Sequence, residues 1–244
     1  MRLVLAVLCV SVLAACGGAD SLDAESDDIQ GGSADSGDPA VGLLWLGSGG
    51  FCTGTLIAPQ VVLTAAHCVQ GETSFTFFTG AGKATGQVAS PTGMAAHAGD
   101  KGVYYSKYSG GSCPNASGDV GLVHLAAPLT GIKPVALASA APKAGTSCTA
   151  VGYGTHNSGA TATYEQKRKA TGTLKTVAGG YLTVDKGSGI ADHGDSGGPL
   201  LCGGVIAGAT SCHNDGDYPA HKEEFYARVD AFRGFIDSTV SAWK

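Results

Sequence analysis

Short apolar runs separated by glycine-rich turns are the main pattern of this chain. The runs are only three to seven residues long, and clusters of glycine and serine stand between them. Runs of this length, in a chain with 39 glycines, are typical of β-strands joined by turns. The pattern predicts an all-β fold. The clearest runs are residues 43–46, 51–57, 61–63, 75–78 and 120–125.

The last part of the chain follows a different period. Apolar residues recur there every three or four positions, which is the spacing of one face of an α-helix. We therefore predict an amphipathic C-terminal helix that packs on the body of the protein and has a structural role. The residues of this face are Val229, Phe232, Phe235, Ile236, Val240 and Trp243.

The first sixteen residues resemble an export signal. Arg2 is followed by an apolar run over residues 3–12, which is too short to span a bilayer and has the length of a signal-peptide core. The run ends in Leu-Ala-Ala-Cys, which looks like a bacterial lipobox with Cys16 as the lipidated residue. Ordinary signal-peptidase cleavage is the alternative. Both predict an exported protein with its signal over residues 1–16, either a bacterial cell-envelope lipoprotein or a protein secreted after processing.

The charge of the chain is concentrated in the segment that follows. Residues 17–28 hold five acids and no basic residue, which predicts an acidic, disordered tether or propeptide. Without residues 1–28 the chain keeps 14 basic and 15 acidic residues, so the remaining domain, 29–244, is nearly neutral. A chain without a basic patch does not favour a nucleic-acid partner. We predict a monomer that contacts a membrane only through a lipid on Cys16.

Ser196 lies in the sequence Gly-Asp-Ser-Gly-Gly-Pro, which predicts a nucleophile held in a tight turn. The glycines let a carbonyl approach the hydroxyl and leave backbone N–H groups free to form an oxyanion hole. A serine hydroxyl is a poor nucleophile at neutral pH and needs a base that a third group orients. His67, after the run 61–63, and Asp119, before the run 120–125, are the candidates for these two roles.

The motifs around these three residues resemble those of the chymotrypsin-like serine proteases. They read Leu-Thr-Ala-Ala-His-Cys, Asp-Val-Gly-Leu-Val and Gly-Asp-Ser-Gly-Gly-Pro, in the order of that family, and the resemblance extends from about residue 29 to the C-terminus. It implies two six-stranded antiparallel β-barrels with the active site between them, protein or peptide substrates, and neither a metal nor an organic cofactor. His67 would be the general base, Asp119 its orienter, Ser196 the nucleophile, and the N–H groups of Gly194 and Ser196 the oxyanion hole. Ser211 matches the family serine that bonds to the aspartate.

Two other functions fit parts of the sequence. Residues 194–198 also satisfy Gly-x-Ser-x-Gly, the nucleophile motif of the α/β-hydrolases, in which the acid and the histidine follow the serine. Asp215 and His221 are candidates for those roles, but the pattern lacks the alternating helices of that fold. The other alternative is a non-catalytic binding protein on a protease fold. Such proteins usually lose a triad residue, whereas all three are present here.

The sequence Ile-Gln-Gly-Gly from residue 29 resembles the Ile-Val-Gly-Gly at which this family is activated. In the family, a cut before the isoleucine frees an amino terminus that pairs with the aspartate preceding the nucleophile, here Asp195. A buried carboxylate is costly without a partner, so the two roles fit each other. We predict a zymogen that is cut between Asp28 and Ile29, which would also release the protease from a lipid on Cys16. Gln30 and Asp28 depart from the family pattern.

Six cysteines remain outside the signal peptide, and six cysteines allow fifteen pairings. The resemblance implies one bond that clamps the loop of the catalytic histidine and a second bond beside the nucleophile. The two cysteines left over would form a third bond at the edge of the cleft, where Cys212 replaces a tryptophan of the family. The predicted pairs are Cys52 with Cys68, Cys148 with Cys202, and Cys113 with Cys212.

The residues of the substrate pocket depart from the family pattern. Ile190 stands where trypsin-like members have an aspartate, and Asp192 replaces a cysteine of the family's pocket disulfide. Glu224 falls on the pocket wall in place of a small residue, and His213 falls near the pocket mouth. The Glu224 carboxylate could attract lysine or arginine side chains, plug the pocket or point away, and we favour the first. The stretch 80–118, glycine-rich and irregular in length for the family, predicts loops that line the cleft.

Overall fold

A computed structural model of the chain describes residues 29, 31–82, 91–111, 113, 117–154, 166–213 and 222–244. The predicted signal peptide, the lipobox residue Cys16, the tether over 17–28 and residues Asp28, Gln30, Asp215 and His221 lie outside the described residues, so the statements about them stay predictions. Within the described ranges, no helix is long and apolar enough to cross a membrane.

The described chain consists mainly of short antiparallel strands and ends in one helix. A 3-10 turn over Asp230–Phe232 leads into that helix, α1 (Arg233–Ala242). The strands are β1 (Ser33–Ala34), β2 (Val41–Leu46), β3 (Phe51–Ala58), β4 (Val61–Thr64), β5 (Phe75–Thr79), β6 (Ala95–Tyr104), β7 (Gly121–Leu125), β8 (Ser147–Gly152), β9 (Arg168–Ala178), β10 (Tyr181–Asp185), β11 (Pro199–Cys202), β12 (Val205–Cys212) and β13 (Glu223–Arg228).

Strands β2 to β7 close into the first antiparallel barrel. Their order around it is β2-β3-β4-β7-β6-β5, and the pairing of β2 with β5 completes the ring. The interior contains Leu44, Leu56 and the ring of Phe77, all fully buried. Gly42 makes room for this ring, because a Cβ at that position would lie 2.5 Å from Cε2 of Phe77. The glycine within this strand is therefore a packing requirement.

Strands β8 to β13 form the second barrel. The order is β9-β10-β13-β12-β11-β8, the pairing of β8 with β9 closes it, and the two-residue strand β1 extends the sheet at β9. Its core includes Ile29, Leu174, Leu182 and Leu200. The two closed barrels confirm the all-β architecture that the sequence predicts.

Strands β4 and β7 pair with each other and are buried on both faces. Val62 and Val123 belong to the core of the first barrel, while Leu63 and Leu122 belong to a second core shared with β12 and the C-terminal helix. Burial on both faces explains why these strands are unbroken apolar runs and do not alternate with polar residues. The segments that carry the candidate base and its orienter therefore leave from the most buried strands.

The C-terminal helix packs as its apolar face predicts. Ile236 is fully buried, and the ring of Tyr105 contacts the rings of Phe232 and Phe235 at centroid distances of 5.0 and 5.8 Å. After the helix, the Trp243 ring meets the His124 ring at 5.4 Å. The helix thus closes the back of β7, which is a structural contribution.

Strand β6 occupies ten residues of the stretch for which the sequence predicts loops. Its sequence, Ala-Ala-His-Ala-Gly-Asp-Lys-Gly-Val-Tyr, has one β-branched residue and weak strand propensity. It becomes a strand because β5 and β7 pair with both of its edges. Gly102 also allows a close approach, since a Cβ there would lie 2.8 Å from Cγ1 of Val69. Tertiary pairing outweighs local propensity here, so this part of the loop prediction was wrong.

Candidate active site

His67 and Asp119 meet at the paired ends of β4 and β7. Asp119 Oδ2 accepts a hydrogen bond from His67 Nδ1 at 2.8 Å, and Oδ1 accepts one from the His67 backbone N–H at 2.9 Å. The Asp119 side chain is 2% exposed and that of His67 is 34% exposed. This two-point contact fixes the imidazole and puts the proton on Nδ1, so Nε2 is the nitrogen available to accept a proton.

Ser211 provides a third donor to the buried carboxylate. Its Oγ donates to Asp119 Oδ2 at 2.7 Å, and it belongs to β12 of the second barrel. Three donors offset the desolvation cost of a charged group that lies 1% exposed. Burial and the negative charge of Asp119 raise the pKa of nearby Tyr108 to about 12, so that phenol is neutral at ordinary pH.

Ser196 lies in a loop that both barrels hold. Its carbonyl oxygen accepts the Thr53 backbone N–H at 2.9 Å, and the Thr53 hydroxyl donates to the Gly194 carbonyl at 2.9 Å. From the second barrel, the carbonyl of Thr210 accepts the Gly197 N–H at 2.8 Å. The sequence points to neither threonine, because nothing in the local pattern of either residue indicates a contact with a loop so far along the chain.

The backbone of this loop takes a shape that glycine favours. Gly194 has a φ of +93° and Gly197 a φ of +80°, both in the left-handed region. A Cβ on Gly194 would overlap the Phe51 ring, and one on Gly197 would overlap the Thr64 hydroxyl. Within the part of the chain that the structure describes, the N–H groups of Gly194 and Ser196 donate to no protein acceptor, as the two donors of an oxyanion hole require.

The sequence profile of the trypsin family matches residues 29–236, which is most of the chain. The chain belongs to the trypsin family of serine proteases.

Individual relatives of the trypsin family agree with this assignment. The chain is 29% identical over 228 residues to a snake venom serine protease of Crotalus durissus durissus, covering 83% of this chain and 82% of that protein. It is 28% identical over 210 residues to human kallikrein-5, covering 79% of this chain and 68% of that protein. The solved structure of mouse neuropsin, described as a serine protease expressed in the limbic system of mouse brain, has a similar fold. Its TM-score is 0.71 at 23% sequence identity, and the match covers 84% of this chain and 96% of that one.

Asp195 and Ile29, which pair on activation in the trypsin family, are both buried. Each is 1% exposed. The Asp195 carboxylate accepts the N–H of Gly154 at 2.8 Å and the N–H of Asp192 at 2.9 Å. Ile29 lies in the core of the second barrel with a φ of +32°. The left-handed region is unfavourable for a β-branched residue, so the backbone at Ile29 is strained.

A buried ion pair anchors the segment that leads from Ile29 into the first barrel. Asp35 is fully buried, the Lys167 side chain is 2% exposed, and Nζ lies 3.3 Å from Asp35 Oδ2. Nζ also donates to the carbonyls of Gly37 and Asp38, both at 2.8 Å. Burial lowers the pKa of Lys167, although the negative charge of Asp35 acts in the opposite direction. The pair ties this segment to the start of β9 and is not evident from the sequence.

Three disulfides brace this trypsin-family site. One lies beside His67, one joins β8 to β11 next to the nucleophile loop, and one ends at the residue after Ser211. The structure forms the bonds Cys52–Cys68, Cys148–Cys202 and Cys113–Cys212. The last of these crosses a sequence separation of 99 residues and fixes the end of β12 at the cleft.

A cavity of about 200 Å³ opens beside Ser196. Its lining includes Glu224 and His213, the two polar residues that the sequence predicts there, and also Asp192 and His193. The sequence relates Asp192 to the pocket only as the replacement of a family cysteine, and it indicates no pocket role for His193. Their position follows from the turn just before the nucleophile, which faces the end of β12 across the cavity.

Ile190 lies behind this cavity, in a small gap of about 10 Å³ that Glu224 and Tyr226 also line. Glu224 is 3% exposed and faces both spaces. Burial, together with the negative charges of Glu224 and Asp195, raises the pKa of Tyr226 well above its ordinary value. The cleft of this trypsin-family chain therefore ends at a buried acid on β13, with Ile190 in the core behind it.

Proposed function

We propose that this protein is a serine endopeptidase that hydrolyses peptide bonds through an acyl-enzyme on Ser196. The observation that carries this proposal is the buried Asp119 carboxylate, which engages His67 at its backbone N–H and at Nδ1 while Ser211 supports it from the other barrel. A general base needs this arrangement, because its tautomer and ring orientation must be set before the substrate arrives.

The reaction follows from these positions. Ser196 Oγ attacks the peptide carbonyl carbon while His67 Nε2 takes the hydroxyl proton, and the carbonyl oxygen becomes an oxyanion that the N–H groups of Gly194 and Ser196 stabilise by about 3 kcal/mol each. The C–N bond breaks as His67 returns its proton to the leaving amine. Water, deprotonated by His67, then hydrolyses the ester and restores Ser196. Asp119 stabilises the imidazolium without taking the proton.

The enzyme is made as a zymogen that is activated by cleavage between Asp28 and Ile29. The burial of Ile29 in the second barrel supports this step, because the residue already occupies an internal position. The strained φ of +32° also supports it, since cleavage removes the preceding peptide and with it that constraint. The new amine would then have the buried Asp195 carboxylate as a partner.

The substrate pocket prefers lysine or arginine side chains. Glu224 supports this preference, since it lies 3% exposed on the wall of the cavity beside Ser196, and Asp192 lines the same cavity. A cation that enters such a partly desolvated acidic site gains more than it would in water. Peptide substrates that differ only at the residue before the cut provide the test. Glu224→Gln should reduce the preference for arginine over leucine about tenfold or more, and an unchanged ratio would contradict this role.

Export by the signal over residues 1–16 brings the enzyme to the bacterial cell envelope, where a lipid on Cys16 anchors it until the activating cut releases it. The three disulfides support an oxidising destination, since such bonds persist outside the cytoplasm. Globomycin, an inhibitor of lipoprotein signal peptidase, is the probe. It should leave an uncleaved precursor if Cys16 is lipidated, and normal maturation in its presence would show ordinary signal-peptidase cleavage.

The deciding experiment is intact-mass analysis of the mature protein before and after reaction with a fluorophosphonate. We expect a chain that begins at Ile29 and gains one adduct, and a Ser196→Ala control that gains none. A folded chain that begins at Ile29 and gains no adduct would contradict the enzyme and favour a non-catalytic binding protein. An active chain that begins upstream of Ile29 would contradict the zymogen step alone.

A further inference from the structure

Three side chains with metal-binding atoms converge in the cavity beside Ser196. They are Asp192, His193 and His213, and one ligand atom of each lies within 4.8 Å of those of the other two. The His193 and His213 rings meet edge to face at a centroid distance of 6.1 Å, and His193 Nε2 lies 4.0 Å from Asp192 Oδ1. The catalytic mechanism uses none of these three side chains.

The donor set indicates the class of cation. Two imidazoles and one carboxylate are a common ligand set of protein-bound Zn²⁺, with a fourth position open, whereas Ca²⁺ and Mg²⁺ prefer oxygen ligands. Ligand atoms at about 2.1 Å from a tetrahedral zinc ion are about 3.4 Å from one another. The three ligand atoms here lie within 4.8 Å of one another, so each pair would need to approach by at most about 1.4 Å. The His193 side chain is 71% exposed, so a movement of this size displaces mainly solvent.

Two of the three positions are held firmly. The Asp192 side chain is 4% exposed, its Oδ1 accepts the His193 N–H at 2.7 Å, and its own N–H donates to Asp195 at 2.9 Å. His213 directly follows Cys212, which the disulfide to Cys113 ties to the edge of the cleft. A site with two fixed ligands and one mobile ligand loses little conformational entropy when a metal binds.

The only other such group among the described residues consists of Cys52, His67 and Cys68. Its two sulfur atoms are bonded to each other and so are not thiolates, which metal coordination by cysteine requires. Of the clusters that the structure describes, the one at Asp192 alone therefore offers a complete set of ligands.

We propose that Asp192, His193 and His213 form an inhibitory Zn²⁺ site at the mouth of the substrate pocket. All three residues line the same 200 Å³ cavity as Ser196, so a bound zinc ion takes space that a substrate side chain needs. Its charge also opposes the entry of a lysine or arginine. The inhibitory role rests on the proposed protease function, whereas the binding site does not.

Binding is tested on the inactive Ser196→Ala variant, by titration with Zn²⁺ against a chromophoric chelator. We expect one zinc ion per chain, and a dissociation constant about 100-fold weaker in His193→Ala and His213→Ala, each in the same background. His97→Ala, which removes a histidine outside the cluster, is the matched control and should bind as before. His193 is exposed, so its variant keeps the fold even if His213→Ala does not.

The site is overturned if Ser196→Ala binds no zinc, or if His67→Ala abolishes binding while His193→Ala does not. This result is independent of whether the protein is a protease. On active enzyme, zinc should raise the apparent KM, EDTA should reverse the effect, and His193→Ala should need about 100-fold more zinc for the same inhibition. If zinc binds at the cluster without changing peptide hydrolysis, the inhibitory role is overturned but the binding site still stands.

Discussion

The two barrels organise their shares of the active site in physically different ways. In the first barrel, His67 and Asp119 lie just beyond the ends of paired strands that are buried on both faces, so core packing brings their segments together. In the second barrel, Ser196 lies in a loop that depends on a left-handed Gly194 and on hydrogen bonds from Thr53 of the other barrel. The segments of the base and its orienter are placed by packed strands, and hydrogen bonds to Asp119 then orient the imidazole. The nucleophile is instead placed by a loop network that substitutions and processing can disturb.

The largest effect should come from Ser196→Ala, which removes the nucleophile and leaves the rest of the site. Peptide hydrolysis should fall by about 10⁶-fold in kcat, with little change in the urea midpoint of unfolding, because Ser196 is not part of either core. Ser36→Ala, at an exposed position, is the control and should keep full activity. A Ser196→Ala variant that retains more than a thousandth of the activity would mean that another group carries the reaction.

Asp119→Asn should lower the activity nearly as strongly, through the His67–Asp119 pair of the first barrel. An amide in place of the carboxylate donates a hydrogen bond where His67 Nδ1 must donate its own, so the ring is held in the wrong tautomer. We expect kcat to fall about 10⁴-fold at neutral pH with the fold preserved. Steady-state kinetics with one peptide substrate give the result, and a decrease of less than tenfold would argue against Asp119 as the orienter.

Lys167→Met tests whether the buried ion pair between the segment after Ile29 and the start of β9 stabilises the protein. The substitution leaves Asp35 fully buried, with Lys169 at 3.2 Å as its remaining cation. Removing one partner of a buried pair typically costs 3–5 kcal/mol, and because Lys169 remains we expect the free energy of unfolding to fall by about 3 kcal/mol. Urea titration measures it. The double variant Lys167→Met with Asp35→Leu should recover part of the loss, and no recovery would show that the cost has another source.

Thr53→Val removes the hydroxyl that connects the first barrel to the nucleophile loop. The hydroxyl donates to the Gly194 carbonyl at 2.9 Å and accepts the Tyr153 N–H at 3.0 Å. Losing both bonds should cost about 1–3 kcal/mol and displace the oxyanion donors, so we expect kcat to fall about 10- to 100-fold while KM changes little. Thr53→Ser keeps the hydroxyl and should restore kcat.

Thr55→Val is the matched control for Thr53→Val, two residues along the same strand. The Thr55 hydroxyl is buried and has no hydrogen-bond partner among the described residues, so valine should be neutral or slightly stabilising. If both variants lose kcat to the same extent, the effect comes from β3 in general. Thr53 would then not be a positioning residue.

The difference between the two halves also explains what could be predicted from the sequence. The buried strands appear as unbroken apolar runs, and the residues at their ends, His67 and Asp119, are next to those runs in the chain. The C-terminal helix is evident for the same reason, since its face is a local periodicity. Features set by neighbours in sequence are therefore predictable.

Contacts between distant residues are not predictable in this way. Thr53 bonds to a residue 141 positions away, and the buried pair of Asp35 and Lys167 joins segments about 130 positions apart. Strand β6 depends on two partner strands, and the cluster around Asp192 depends on a turn that faces the end of β12. Each requires the fold before the contact exists, so local pattern carries no sign of it.

The last comparison concerns pH and the buried tyrosines of both halves. Burial raises the pKa of Tyr108 and of Tyr181 to about 12, and it also raises the pKa values of Tyr153 and Tyr226. A tyrosine whose pKa is higher in the folded state than the unfolded value of about 10 keeps its proton there longer than in the unfolded chain. Its contribution to stability is complete below pH 10 and is lost as the pH rises towards the folded-state pKa.

We therefore expect the free energy of unfolding to be level near pH 9 and to fall between pH 10 and 11.5, by up to about 1.4 kcal/mol per pH unit for each such tyrosine. Urea titrations across this range, with tyrosinate absorbance to follow ionisation, measure it. Tyr153→Phe gives up the hydrogen bond to the Gly80 carbonyl at 2.8 Å, so its stability at pH 9 should be lower while its loss above pH 10 is shallower. A loss as steep as that of the wild type would assign the alkaline transition to the other tyrosines.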